Sequence, residues 1–385
     1  MKINIHGYGS ISAAGNSPAA AWETYIQGKP TWSTDLLTGM PVYRIKQLPN
    51  DPGIKAFAGQ TEPDRATVLA LHAADQAVQQ AGWAGKDFSI IVGCSRGPTE
   101  SWEEGFSHYL KKGVARLRTS PKTTLGSIGF ALADYFGTDS PASSMSMTCS
   151  SGMHAILHGI ALLKSGMAER VLVGGSEAPI TPFTLGQMEA LRIYGKVAGV
   201  GEHACRPFSD PPSGMVMGEG AAFLALSLEE DSTCTHTYVQ GIAFARESTP
   251  TPTGISAEGQ ALEKAMHELV EKFGCPDVIV AHAPGTKRGD RAELNAINAL
   301  YATMPDDYCT TSFKWATGHT FGASGPLAIT AALEMMKAGK YCPLPWQATP
   351  KTAWPSGRVL VNATGFGGNV ASIMVAQTRD AGGGF

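Results

Sequence analysis

The chain contains one apolar, small-residue-rich segment twice, and this repeat constrains the architecture more than any other sequence feature. Residues 150–166 begin Ser-Ser-Gly and end Lys-Ser-Gly, while residues 323–339 begin Ala-Ser-Gly and end Lys-Ala-Gly. The two segments have the same length, and the first carries apolar side chains at helical spacing. Chance similarity between two core helices is the alternative explanation. A structural repeat predicts two related halves whose repeated helices meet at the centre.

The join between the two halves is predicted in a polar run at residues 229–237, which interrupts the apolar pattern. We therefore expect an N-terminal half, residues 1–235, and a C-terminal half, residues 236–385. Residues 28–62 are rich in proline and show little periodicity, so they are predicted to form an irregular surface excursion.

Three continuous apolar runs predict buried strands that alternate with helices. They occupy residues 87–95, 169–177 and 276–284, and each ends in small or polar residues. Runs of this kind are typical of parallel strands that are covered on both faces. Because amphipathic segments lie between them, the sequence predicts an α/β fold.

The composition indicates a globular protein with neither a nucleic-acid nor a membrane partner. The 385 residues are 43% hydrophobic, which is enough for a large core, and the net charge is -3. Such a chain lacks the basic face that binds nucleic acid or anionic lipid. Seven scattered cysteines form no CxxC pair, so we expect no disulfide framework and no bound metal. No long apolar run occurs at the N-terminus or elsewhere, so we expect a cytoplasmic protein.

Cys149 stands at a predicted junction between a short strand, residues 143–147, and the first repeated helix. The free N–H groups at a helix N-terminus favour a thiolate, which makes Cys149 a candidate nucleophile. The alternative is that Cys149 is inert, because free cysteines are among the most deeply buried residues.

Two histidines occupy comparable positions. His282 directly follows the predicted buried strand at residues 278–281, and His319 lies in a glycine-rich loop before the second repeated helix. Catalytic groups collect at such strand ends and loops, although a single loop histidine is more often a surface or core residue. His154 and His158 share one helix face like zinc ligands, but without the HExxH pattern core packing is favoured.

The chain resembles a β-ketoacyl-acyl carrier protein synthase, a condensing enzyme of the thiolase superfamily. The resemblance extends over nearly the whole chain and is carried by seven blocks in the family's order. These blocks are TCSSG at 148–152, GGSEAPITP at 174–182, CRPFSD at 205–210, GMVMGEGAAFLAL at 214–226, HAPGTKRGDRAE at 282–293, FKWATGHTFGASG at 313–325 and GFGGNVAS at 365–372.

The resemblance implies a five-layer αβαβα fold of two duplicated halves around central buried helices, and a Cys-His-His catalytic set. Cys149 matches the nucleophile that accepts the acyl group, as expected for thioester chemistry. His282 and His319 match the pair that donates hydrogen bonds during malonyl decarboxylation and condensation. Lys314 matches the family's lysine, and Glu293 matches the carboxylate that pairs with it, in a supporting role.

The resemblance also assigns an oxyanion hole and a gate. Backbone N–H groups of Cys149 and Phe366 would bind the tetrahedral intermediate, and Phe366 would separate the acyl pocket from the malonyl side. Gly365 and Gly367 allow the close backbone approach this requires, while Thr286 is the retained threonine of the HAPGT block.

No cofactor is implied, because the substrates arrive on the phosphopantetheine of an acyl carrier protein. The implied partners are that carrier protein and a second subunit, which is either an identical copy or a chain-length-factor-like protein.

The chain departs from the family pattern around the nucleophile and the pantetheine site. Ser146, Met147 and Thr148 replace Asp, Thr and Ala, and Pro284 stands where a pantetheine-contacting threonine is usual. We therefore favour a specialised type II pathway, such as one that makes polyenes for pigments, over housekeeping fatty acid elongation.

Three alternatives remain from the sequence. Two of them are a thiolase and a ketosynthase of the Cys-His-Asn type, and both are disfavoured by His319 with Lys314 five residues before it. A non-catalytic subunit of a condensing heterodimer is disfavoured because Cys149 is retained.

Overall fold

The structure is a computed structural model that describes residues 2–229, 237–248, 254–302, 309–347 and 357–378. The predicted join between residues 235 and 236 lies outside the described residues. The described strands are β1 (Lys2–Ser12), β2 (Ser33–Thr34), β3 (Pro41–Val42), β4 (Ser89–Gly93), β5 (Ala142–Met145), β6 (Arg170–Glu177), β7 (Gly220–Glu229), β8 (Thr237–Arg246), β9 (Val278–Val280), β10 (Cys309–Thr311), β11 (Arg358–Gly365) and β12 (Asn369–Gln377).

The helices alternate with these strands, as the apolar runs predict. They are α1 (Pro18–Gln27), α2 (Pro52–Thr61), α3 (Arg65–Ala81), α4 (Thr99–Lys112), α5 (Thr119–Thr123), α6 (Ser127–Phe136), α7 (Ser151–Lys164), α8 (Pro182–Ala190), α9 (Gln260–Phe273), α10 (Lys287–Tyr301), α11 (Lys314–Thr317) and α12 (Ser324–Ala338), with a 3-10 turn at Phe321–Ala323. No helix in the described ranges is long and apolar enough to cross a membrane.

Ten of the described strands hydrogen-bond in the order β5-β4-β6-β7-β1-β8-β12-β11-β9-β10. The order is symmetric about β1 and β8: on each side two antiparallel strands are followed by three parallel ones. The two halves join where Ile3 pairs with Val239 and Asn4 with Tyr238. Each half therefore has the same topology, which confirms the duplication predicted from the repeated segments.

The helices divide the molecule into five layers. On one outer face α3 packs against β1 and β7, and on the other α9 packs against β8 and β12. The repeated helices α7 and α12 lie between the two halves of the sheet: α7 contacts β4 and β6, and α12 contacts β11 and β7. The largest hydrophobic cluster joins these two helices to strands from both halves. The predicted αβαβα fold with central buried helices is confirmed.

Glycines let the N-terminal ends of the central helices approach closely. A Cβ atom on Gly325 would lie 2.3 Å from Cγ of Met153, and one on Gly152 would lie 2.5 Å from the carbonyl oxygen of Gly322. The glycine at the same place in both repeated segments is thus required by packing. This contact brings Cys149, just before α7, toward the segment that carries His319.

The predicted irregular excursion at residues 28–62 is partly ordered. It contains the short strands β2 and β3 and the helix α2, which begins after Asp51. The Asp51 side chain accepts a hydrogen bond from the backbone N–H of Ile54 at 2.9 Å, and Pro52 occupies the first helical turn. Asp as an N-cap followed by Pro is a helix-start signal that the high proline content of the segment obscured.

Candidate active site

Cys149 lies in a sharp turn between β5 and α7, as the sequence predicts, and it is only 5% exposed. Thr148 adopts a left-handed backbone conformation with φ of 52°, which is rare for a β-branched residue. The Ser151 side chain accepts a hydrogen bond from the N–H of Met147 at 2.9 Å, and the Ser150 hydroxyl donates to the Met147 carbonyl at 2.9 Å. These bonds hold the sulfur in a fixed place at the start of α7.

The electrostatic surroundings of Cys149 differ from the sequence-based expectation. Burial raises the pKa of its thiol to about 12, and the negative charge of Glu177 adds to that rise. Lys314 and the backbone N–H groups of Cys149 and Phe366 act in the opposite direction. The helix N-terminus therefore does not outweigh burial, and the sulfur is a thiol at neutral pH.

His282 and His319 are brought together beside the cysteine. Their ring centroids are 5.2 Å apart, the rings are nearly perpendicular at 81°, and both residues are buried. Burial lowers the pKa of His319 to about 3 and the pKa of His282 well below its ordinary value, and the charge of Lys314 adds to both shifts. Both rings are therefore neutral at physiological pH, so each carries a hydrogen on one nitrogen only.

The side chain of Lys314 is buried at the start of α11. Burial lowers the pKa of its ammonium group to about 8, although acidic groups led by Glu293 act in the opposite direction. The carboxylate of Glu293 accepts hydrogen bonds from the N–H of His282 at 2.9 Å and of Ala283 at 2.7 Å. It also accepts one from Nδ2 of Asn362 at 3.0 Å. Within the described residues, Glu293 thus influences Lys314 through its charge and holds the His282 backbone directly.

Phe366 lies in the turn between β11 and β12. A Cβ atom on Gly365 would lie 2.3 Å from Oγ1 of Thr148 and 2.8 Å from the carbonyl oxygen of Met147. Gly367 has a φ of 84°, which glycine adopts without strain. Gly365 therefore permits the close approach of this turn to the residues just before Cys149, and Gly367 permits the shape of the turn.

One cavity of about 910 Å³ reaches the predicted catalytic residues from the surface. Cys149, His282, His319 and Phe366 line it, and so do Pro284 and Thr286. Thr286 also caps α10, because its hydroxyl accepts a hydrogen bond from the N–H of Gly289 at 3.3 Å. Basic side chains outnumber acidic ones along the cavity, where the lining includes Arg192, Lys196, Arg206, Lys287, Arg288 and Glu202. The cavity is therefore large enough for an extended substrate, and its lining favours one with a negative charge.

Models of two domains of a known family match the chain. The N-terminal domain of β-ketoacyl synthases matches residues 1–232, and the C-terminal domain of β-ketoacyl synthases matches residues 236–345. The chain belongs to the β-ketoacyl synthase family. The protein is accordingly a condensing enzyme, an acyltransferase of fatty acid or polyketide synthesis.

Relatives and solved structures resemble this synthase over most of its length. Nodulation protein E of Rhizobium sp. (strain N33) is 28% identical, over 88% of this chain and 87% of that protein. The ketoacyl synthase alpha subunit of the tetracenomycin polyketide synthase from Streptomyces glaucescens is 26% identical over 98% of each chain. A ketosynthase from Xenorhabdus doucetiae, solved in complex with its chain length factor, has a TM-score of 0.82 at 21% identity, over 98% of each chain.

The synthase also has a buried carboxylate near Cys149 that the sequence analysis did not select. Glu177 ends β6 and accepts hydrogen bonds from the backbone N–H groups of Ser95 at 2.7 Å, Arg96 at 3.0 Å and Gly322 at 3.0 Å. Its pKa rises to about 7 because of burial, although these donors act against the rise. The sequence did contain a signal for this residue, because Glu177 stands at the end of a fully apolar predicted strand, in the GGSE block.

Asp290 is a second buried carboxylate of this kind in the synthase. It accepts hydrogen bonds from the N–H groups of Phe208 at 2.8 Å and Gly285 at 2.9 Å, which tie the CRPFSD block to the cavity wall. Burial raises the pKa of Asp290 to about 7. Asp290 is the last residue of an Arg-Gly-Asp triplet, and its buried side chain is used in these backbone hydrogen bonds.

His154 and His158 each contact a backbone carbonyl oxygen one helical turn earlier. Nδ1 of His154 lies 3.1 Å from the Ser150 carbonyl oxygen, and Nδ1 of His158 lies 2.7 Å from the His154 carbonyl oxygen. In the described part of the synthase, no three metal-ligating side chains cluster together.

Proposed function

We propose that Cys149 of this synthase receives an acyl group from an acyl carrier protein. The sulfur would attack the carbonyl carbon of the carrier thioester, form a new thioester on Cys149, and release the carrier as a thiol that takes the cysteine's proton. The observation that supports this most strongly is that the Cys149 sulfur and the two neutral histidine rings line one cavity open to the surface. Because the resting group is a thiol, its proton must leave as the carbon–sulfur bond forms.

The backbone N–H groups of Cys149 and Phe366 form the oxyanion hole in this proposal. Both N–H groups lower the pKa of the Cys149 thiol, as hydrogen-bond donors close to the sulfur should. Donors aimed at the same region stabilise the negative oxygen of the tetrahedral intermediate. Gly365, which could not carry a side chain here, keeps the Phe366 peptide close to the sulfur.

In the second step a malonyl thioester loses CO2, and the enolate that remains attacks the thioester on Cys149. A β-ketoacyl thioester leaves on the carrier, and the cysteine sulfur takes up one proton. The enolate oxygen needs hydrogen-bond donors, and His282 and His319 can supply them as neutral rings. Lys314 favours this state, because its charge opposes protonation of both histidines. No further cofactor is required in this sequence, because phosphopantetheine carries both substrates.

A second subunit is part of the proposal. Among the described strands, β5 pairs only with β4, so one edge of the sheet is open. Helix α4 lies on the same side, connected through α5 and α6, and exposes large apolar side chains. These are Trp102, Phe106, Tyr109 and Leu110. An open strand edge beside such a surface favours association, with either an identical copy or a chain-length-factor-like subunit.

We propose a specialised type II pathway as the context, for example one that makes pigment polyenes, with housekeeping fatty acid elongation as the alternative. The similarity to a polyketide ketoacyl synthase alpha subunit and to a ketosynthase bound to a chain length factor supports the former. So do the replacements at residues 146–148, directly before Cys149, and at Pro284, which lines the cavity. A cytoplasmic location belongs to the same proposal and agrees with the free thiols of Cys94, Cys149, Cys205 and Cys342.

Intact mass spectrometry after incubation with an acyl carrier protein tests the assignment. The wild-type chain should gain the mass of the acyl group, and Cys149→Ala should not. Cys342→Ala is a matched control, because it removes another buried thiol, in the central core, and should keep the adduct. A wild-type chain that gains no acyl group would instead favour the non-catalytic subunit. Co-purification with neighbouring gene products would then identify the carrier and the second subunit.

A further inference from the structure

The turn that carries Cys149 is bonded directly to the turn that carries Phe366. The hydroxyl of Thr148 donates a hydrogen bond to the carbonyl oxygen of Phe366, with 3.2 Å between the oxygens. Nδ2 of Asn369 donates to the same oxygen at 3.2 Å. On the other side of that residue, the Phe366 N–H faces the Cys149 sulfur. The carbonyl and the N–H of Phe366 therefore both contact the turn that carries Cys149.

The backbone of Thr148 adopts a costly conformation at this point. Its φ of 52° lies in the left-handed region, where a β-branched side chain is strained. Glycine or asparagine would occupy this region at lower cost. Strain of this kind persists where the surrounding structure enforces it, and it concentrates at functional sites.

The space around the hydroxyl is equally restricted. A Cβ atom on Gly365 would come within 2.3 Å of Oγ1 of Thr148, so the Phe366 turn can contact the hydroxyl only because residue 365 is glycine. Three residues before Cys149 depart from the family pattern. Among them, the Thr148 hydroxyl bonds to the Phe366 turn, whereas the Ser146 hydroxyl bonds to the carbonyl oxygen of Ser95. An alanine at residue 148 could not form this bond.

We propose that Thr148 is a positioning residue, whose hydroxyl holds the Phe366 peptide so that its N–H points at the reacting carbonyl oxygen on Cys149. This inference rests on the proposed role of Cys149 as the acyl acceptor. Displacing a preorganised donor weakens transition-state stabilisation without removing any group that reacts. Thr148 therefore acts on the rate of acyl transfer more than on binding of the carrier protein.

Three variants test the proposal through the rate of acyl transfer to Cys149. Thr148→Ala should lower the maximal rate by about tenfold or more, with little change in the carrier concentration that gives half the maximal rate. Thr148→Ser retains the hydroxyl and should restore most of the rate. Thr330→Ala, which removes another buried threonine hydroxyl donating to a backbone carbonyl, should behave like the wild type. A wild-type rate in Thr148→Ala, or a rate in Thr148→Ser as low as in Thr148→Ala, would overturn the proposal.

Alkylation of Cys149 by iodoacetamide gives a second readout that does not need the acyl-transfer reaction. The Phe366 N–H favours the thiolate, as does Lys314, while Glu177 opposes it. At about pH 8 the alkylation rate is set by the small fraction of Cys149 that is thiolate. Thr148→Ala should therefore lower that rate, and Thr148→Ser should keep it near the wild-type rate. A wild-type alkylation rate in Thr148→Ala would show that the hydroxyl does not position the N–H. A wild-type chain that is alkylated but never acylated would instead contradict the role proposed for Cys149.

Discussion

The backbone N–H of Phe321 donates a hydrogen bond to Nδ1 of His319 at 3.0 Å. A ring nitrogen that accepts a hydrogen bond carries no hydrogen, so the neutral His319 ring has its hydrogen on Nε2. The assignment requires that the ring is neutral. It is neutral because it is buried and its pKa is lowered to about 3. A fixed backbone contact thus selects the tautomer that can donate from Nε2.

Replacing His319 should therefore slow decarboxylation. We expect His319→Ala to release CO2 from malonyl carrier protein at least about a hundredfold more slowly, since one lost oxyanion donor typically costs that much. His282→Ala should have an effect of the same order. CO2 release in a single turnover measures the step directly.

The control for these variants is His158→Ala, a histidine on the outer side of α7 that does not line the cavity. It should release CO2 at the wild-type rate. Unchanged release in either cavity variant would remove that histidine from the catalytic set.

The duplicated fold could be predicted from the sequence because each half contains the same short segment, which forms one of the two central helices. Residues 150–166 and 323–339 carry a glycine at equivalent places, and each glycine is needed where the two central helices touch. The strands β4, β6 and β9 could be predicted for a similar reason, since strands covered on both faces are apolar throughout. Helix α2 was missed because proline dominated the segment while its Asp51 cap is a single residue.

The electrostatics of the site could not be predicted in the same way. Glu177 is bonded to backbone groups from residues 95, 96 and 322, which are far apart in the sequence. The position of Cys149 at a helix N-terminus suggested a lowered pKa, but burial reverses the sign. The burial of Cys149 depends on how both halves pack, so it could not be predicted from the residues next to Cys149 in the sequence.

Removing the charge of Lys314 should change the titration of the histidines. Because the ammonium group lowers the pKa of both His282 and His319, Lys314→Met should raise both values, although burial will keep them below the ordinary range. NMR of histidine-labelled protein across the acidic range measures the change. Lys337→Met removes an exposed lysine of α12 and should leave these two titrations unaltered. Histidine titrations identical in Lys314→Met and the wild type would contradict the electrostatic role.

Glu177 should make the stability of the protein depend on pH. Its pKa is 4.5 in the unfolded reference and about 7 in the folded protein, so the folded state binds the proton more tightly. The contribution of Glu177 to the free energy of unfolding is thus fully present below pH 4.5 and is lost as the pH rises through about 7.

A glutamine at residue 177 has no proton to lose. We therefore compare the free energy of unfolding of Glu177→Gln with that of the wild type at two pH values. The difference should shift in favour of the variant between about pH 5 and about pH 8, because only the wild type loses stability over this range. The cost of altered hydrogen bonds in the variant is the same at both pH values. Urea denaturation at both pH values measures the difference. The exposed Glu169, replaced by glutamine in the same way, should show no such gain. A Glu177→Gln difference that is constant with pH would rule out the titration.

Gly365 should tolerate no side chain, because it is the point where the Phe366 turn contacts the turn that carries Cys149. The Cβ atom of Gly365→Ala would come within 2.3 Å of Oγ1 of Thr148 and within 2.8 Å of the Met147 carbonyl oxygen, so the turn must move away. We expect a loss of stability of about 1 to 3 kcal/mol and a fall of about a hundredfold in acyl transfer.

The matched control is Gly186→Ala, inside α8. Apart from its chain neighbours and the backbone of its own helix, no described atom lies within 4 Å of the added Cβ. That variant should gain about 0.5 to 1 kcal/mol and keep its acyl-transfer rate. Thermal unfolding and single-turnover acylation measure both quantities, and wild-type acylation by Gly365→Ala would mean that the Phe366 turn does not need this contact.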